Sequence, residues 1–195
     1  MAKFHVQGHR KLYIHNTLDQ GADNARSDIE KKLKDGDRTG IGFDYMTCGI
    51  MLAFTFEAQV NFMGTRFCTP WSYFGVWKAK VETVFNALKM EYDWAKRPFI
   101  SAQKMKVFRD TLAHGKPVDE NLNEDFEAAT MEEARAKYNF KQAWEAMMTH
   151  EEIMQAYDDN QQVWKMMLEK SGINIMDTLD QMNLTIHAIN PPLQG

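Results

Sequence analysis

The sequence predicts an all-α fold: a single-domain helical bundle of about six or seven helices. Three observations predict it. Apolar residues recur at three- and four-residue spacing through most of the chain. Five Pro, eleven Gly and fourteen Met in 195 residues favour helices over an all-β fold. A composition of 44% hydrophobic and 26% charged residues is that of a soluble globular domain, long enough for one real core.

The elements follow in chain order. Residues 1–16 show no clean period and read as a loosely ordered end, with His5 and His9 at the i, i+4 spacing of a helical metal pair but no third ligand. From about Thr17 to Lys34 a charged stretch with apolar Leu18, Ala22, Ile29 and Leu33 predicts a surface helix that ends at Gly36. The segment from about Phe43 to Arg66 is apolar nearly all round and predicts the central buried helix. Its apolar run stops near Phe56, which excludes a membrane span. On a helical wheel Phe43, Met46, Ile50, Phe54, Glu57 and Asn61 share one stripe, so Glu57 and Asn61 are polar residues on a mainly apolar face. A buried carboxylate is costly unless paired or protonated.

An aromatic turn at 70–75 precedes a helix with Trp77, Val81, Val84, Phe85 and Leu88 on one stripe. A connection at 92–98 leads to a helix over about Phe99–His114, closed by Gly115 in a left-handed conformation and stopped by Pro117. Residues 118–129 are acidic and aperiodic, a surface loop. Thr130-Met131-Glu132-Glu133 and Thr149-His150-Glu151-Glu152 have the form of capping boxes and open two further helices. Phe140, Trp144 and Met147 face inward in the first, and Ile153, Tyr157, Trp164 and Met167 in the second, which ends near Gly172. A short helix at 175–182 and an irregular 183–195 tail with Pro191-Pro192 complete the chain, and no repeat or domain linker interrupts it.

A net charge of −4 excludes binding of polyanions by the molecule as a whole. A local basic patch remains at Lys96, Arg97, Lys104, Lys106, Arg109 and Lys116, against the single acid Asp110. Two cysteines make no disulfide framework, and the N-terminus lacks a signal-peptide core, so the reading is a reduced, cytoplasmic protein. Glu-x-x-His, His-Glu-x-x-His, Cys-x-x-Cys, phosphate-loop and nucleophile-elbow motifs are absent, and no metal or cofactor is expected.

The chemistry-bearing stretch is Phe108 to Pro117. Arg109 and His114 sit in the last turns of a helix, whose unsatisfied carbonyls favour cations. Asp110 lies four residues before His114, on its face, placed to orient it. On an ideal helix Arg109 and His114 point about 140° apart, so one intact helix does not aim both at one atom. Either the last turn unwinds, or a second copy completes the site across a two-fold axis.

Arg109, Asp110 and His114, with the helices before them, resemble the R-x4-6-H signature of the HEPN superfamily, over roughly residues 40–117. The resemblance implies an all-helical, metal-independent RNA endonuclease acting as a homodimer, in a toxin–antitoxin, phage-defence or RNA-processing setting with an antitoxin or regulatory partner. It implies catalytic roles for Arg109, His114 and Asp110. Glu57 and Asn61 are expected to support them, and Lys104, Lys106 and Lys116 to contact RNA. The alternative is a non-catalytic HEPN-like interaction or scaffold protein, in which Arg109 and His114 are ordinary helix-end residues.

Overall fold

A computed structural model describes residues 3–115, 117, 119, 121, 123–137 and 143–189. Lys116, Phe140, Pro191, Pro192 and part of the acidic loop (Val118, Glu120, Leu122) lie outside the described residues. The elements are β1 (Phe4–Lys11), α1 (Ile14–Asp35), α2 (Ile41–Phe67), α3 (Trp77–Ala87), α4 (Phe99–Ala113), α5 (Met131–Lys137), α6 (His150–Ser171) and β2 (Gln181–Ala188). Short 3-10 turns occupy Ala143–Met147 and Ile175–Thr178. The protein is thus mostly helical but not all-α.

The strands correct the expectation of a loose N-terminus and an irregular tail. β1 and β2 form a two-stranded antiparallel sheet in which Phe4 pairs with Ala188 and Lys11 with Gln181. His5 and His9 therefore sit on a strand, where four residues span about 13 Å, and the helical metal-pair spacing does not apply. The short helix expected at 175–182 is a single 3-10 turn capped by Asn174, whose side chain accepts from the Met176 N–H.

Packing divides the chain into two compact units. The first comprises residues 1–20, 54–92 and 163–195. Its buried side chains include Phe56, Val60, Met63, Val84, Phe85 and Met167. Gly64 admits the Trp71 ring, because a Cβ at Gly64 would lie 2.4 Å from ring carbons.

The second unit comprises residues 21–53 and 93–162. Its core joins Ala22, Ile29, Cys48, Leu52, Met105 and Ile153. Thr130 and Thr149 act as the expected caps: the Glu133 N–H donates to the Thr130 hydroxyl at 3.1 Å and the Glu152 N–H to the Thr149 hydroxyl at 3.2 Å.

Two local expectations need correction. On α2 the stripe of Phe43, Met46, Ile50 and Phe54 is not the buried one; Phe43 is 72% exposed, while Tyr45, Cys48, Leu52 and Phe56 are buried. A helix apolar on all sides offers no moment by which to orient it. At the end of α4, Gly115 is not left-handed; the helix stops at His114, whose N–H donates to the Asp110 carbonyl at 2.9 Å. Gly36 and Gly172, after α1 and α6, do take the left-handed conformation, with φ of 71° and 69°.

Candidate functional site

α4 carries the candidate site. Its inward residues Phe99, Met105 and Phe108 are buried, and this fixes which face of the helix turns outward. The Phe108 ring lies against Gly49 of α2 and 6.3 Å from the Trp144 ring. Arg109 follows Phe108 directly and keeps 23% of its side chain exposed. His114 caps the helix and is exposed.

Charge pairing orders this surface. The Asp110 carboxylate pairs with Lys106 Nζ, one turn earlier, and lies 3.3 Å from Arg109 Nε as a charge contact without hydrogen-bond geometry. Asp110 therefore reaches toward Lys106 and Arg109 through its side chain and toward His114 through its backbone. Lys104 donates to both oxygens of Glu152 at 2.8 and 3.0 Å. Lys96 pairs with Asp93 at 3.0 Å, and Arg97 with Asp159 at 2.8 Å. Each described cation of the basic patch thus has a carboxylate beside it, and the acids come mainly from outside the run that holds the lysines.

Glu57 and Asn61 fall in the first unit. Glu57 is half-buried rather than buried, and Lys80 Nζ lies 3.5 Å from it while also donating to the Tyr73 carbonyl at 2.8 Å. The Asn61 Oδ1 is buried without a partner among the described residues.

Two clusters have no motif in the sequence. Asp159 is 1% exposed; Arg97 grips both its oxygens at 2.8–3.0 Å, and Ser101 donates to it at 2.6 Å. This cluster ties the start of α4 to the middle of α6, and the carboxylate raises the Arg97 pKa. The residues lie 62 and 58 positions apart, so no local pattern marks them.

The second cluster surrounds His15, 3% exposed, among Tyr13, Phe62 and Trp164, with ring centroids 4.9 Å from Phe62 and 5.3 Å from Trp164. Arg66 lies 3.6 Å above the Phe62 ring. Burial depresses the His15 pKa, and a hydrogen bond to the Thr178 backbone only partly offsets it.

Among the described residues no group of three or more His, Cys, Asp and Glu is placed to hold a metal ion, and no helix is long and apolar enough to cross a membrane. Comparison with family models, with curated sequences and with solved structures gives no match.

Proposed function

We propose that the chain is a metal-independent RNA endonuclease of HEPN type, cytoplasmic and active as a homodimer. The observation that carries this reading is the exposed His114 at the end of α4, five residues beyond an Arg109 with the Asp110 carboxylate beside it. His114 takes the proton from a ribose 2′-hydroxyl, or returns one to the leaving oxygen. Arg109 holds the scissile phosphate and offsets the charge that grows on it in the transition state. Asp110 positions Arg109. A second copy supplies the residue that one helix cannot turn toward the same atom. Toxin–antitoxin or phage-defence work, with an antitoxin as regulatory partner, fits an enzyme of this kind.

A second reading is a HEPN-like interaction or scaffold protein without catalysis. It is favoured by the carboxylate beside each described cation from Lys96 to Arg109, which leaves a neutralised rather than a basic surface.

The deciding experiment is RNA cleavage in chelator by wild type, Arg109→Ala and His114→Ala. The nuclease reading expects cleavage by wild type and a loss of about 10²–10⁴ in rate in His114→Ala, with the melting curve unchanged. A folded wild type that cuts no member of a broad RNA panel, or a His114→Ala variant that cuts at the wild-type rate, overturns it in favour of the scaffold.

A further inference from the structure

The terminal ribbon has one naked apolar face. All sixteen paired residues are exposed. Alternation places His5, Gln7, His9 and Lys11 with Gln181, Asn183, Thr185 and His187 on one face, which has polar side chains and no acid along its paired length; just beyond, Lys3 and the exposed Ile189 extend it. The other face carries Phe4, Val6, Arg10, Met182, Leu184 and Ile186, with Gly8 and Ala188 between them. On it Phe4 is 62% exposed, Val6 55%, Met182 62%, Leu184 42% and Ile186 65%. A two-stranded ribbon with an uncovered apolar face is marginal in water.

We propose that this face docks on the same face of a second copy of the chain. A two-fold axis lying between the faces and crossing the strands at the level of Gln7 and Thr185 stacks β1 on β1 and β2 on β2 with their directions reversed. It sets Phe4 over Arg10, Val6 over Gly8, Ala188 over Met182 and Ile186 over Leu184. Each contact then joins unlike partners. The only cation of the face meets its only aromatic ring, as a cation–π contact requires. Val6 meets the one position with no side chain, and the smallest apolar side chain meets the longest.

Gly8 is fixed by the backbone, because a Cβ there would lie 2.0 Å from the Asn183 carbonyl oxygen. From ordinary side-chain areas the face offers on the order of 500 Å² per copy. Complete coverage of both faces buries a total of about 1,000 Å², the size of a weak, reversible interface. The polar faces, both without acids, repel one another and stay outward. The interface uses none of residues 109–114 and stands whether or not the chain cuts RNA.

Sedimentation equilibrium of the full chain tests it, with Ile186→Lys on the apolar face and Thr185→Lys on the polar face of the same strand. Wild type and Thr185→Lys are expected to associate through this face at micromolar concentration, and Ile186→Lys to show half their mass with unchanged helical content. Should Ile186→Lys not fold, Arg10→Ala leaves every core contact in place and weakens the dimer about fivefold or more, through two symmetric cation–π contacts. A wild type monomeric at all concentrations overturns the proposal, as does an assembly whose mass Ile186→Lys and Arg10→Ala leave unchanged. Anionic vesicles or RNA bound by a monomeric wild type, and lost in Ile186→Lys, would assign the face to that partner instead.

Discussion

Replacing Gly49 by Ala should destabilise the protein, whereas the same change at Gly42, in the same helix, should stabilise it. Both positions gain from a Cβ that narrows the unfolded ensemble, by about 0.4–1 kcal/mol. At Gly42 nothing lies within 4 Å of the new methyl, so the gain stands alone. At Gly49 the methyl would sit 2.9 Å from Cε1 of Phe108 and 3.3 Å from Cδ1 of Ile153. Both neighbours are 0% exposed and have no solvent to move into. Overpacking of this kind costs about 1–3 kcal/mol. The net effect is a loss of about 1 kcal/mol, and the two variants separate by about 2 kcal/mol.

Urea denaturation measures both, and a Phe108→Leu background supplies the check. With the ring removed, Gly49→Ala should cost less by about 0.5–3 kcal/mol, the range of direct coupling. If Gly49→Ala stabilises as much as Gly42→Ala, or the cycle is additive, Phe108 does not pack on Gly49. The outward placement of Arg109 and His114, which follows from the seat of Phe108, would then be wrong.

Burial lowers the His15 pKa in the folded state, so the unfolded chain binds more protons as pH falls below about 6.5. Stability is fully present above that value and falls on acidification; the urea midpoint between pH 7 and 5 should decline in wild type and flatten in His15→Gln. Burial pushes the Cys48 thiol up to about 12, so a thiol reagent should label Cys68 in the native protein and Cys48 only in denaturant. Arg97→Ala strands the Asp159 carboxylate in the core, whereas Lys96→Ala releases only an exposed Asp93. The thermal midpoint should drop several-fold further in the first variant than in the second.

The helices were legible because each has its own local evidence. The i, i+3, i+4 rows of Val81, Val84, Phe85 and Leu88, and the threonine caps at 130 and 149, act within a few residues. The ribbon was not legible, although Phe4-Val6 and Met182-Leu184-Ile186 alternate as strands do. Each run is short, and each is a strand only because a partner 170 or more residues away completes its hydrogen bonds. A separation of 62 and 58 residues from its partners likewise hides Asp159, which looks like any helix-surface acid until Arg97 and Ser101 close on it. Of the candidate site, the position of the helix end could be read from residues 108–117, but neither its closure without a left-handed Gly115 nor the exposure of His114. The carboxylates beside Lys104 and Lys106 could be read only for the second, where Asp110 lies one turn on.

Those carboxylates separate the two functional readings. The Lys104–Glu152 pair is about one-third exposed on both sides, and such pairs contribute about 0.2–1 kcal/mol. A phosphate can displace a carboxylate held that loosely, so the pairing does not by itself keep RNA away. It should instead show as a penalty on RNA affinity that removal of the acid relieves. Under the nuclease reading, Glu152→Gln frees Lys104, tightens single-stranded RNA binding several-fold at low salt and steepens the slope of log K against log salt by about 0.7. Under the scaffold reading Lys104 has no phosphate to meet, and the substitution only lowers the denaturation midpoint slightly. An unchanged salt slope in a folded Glu152→Gln protein would remove Lys104 from the proposed RNA surface, leaving Arg109 and His114 to be judged by cleavage alone.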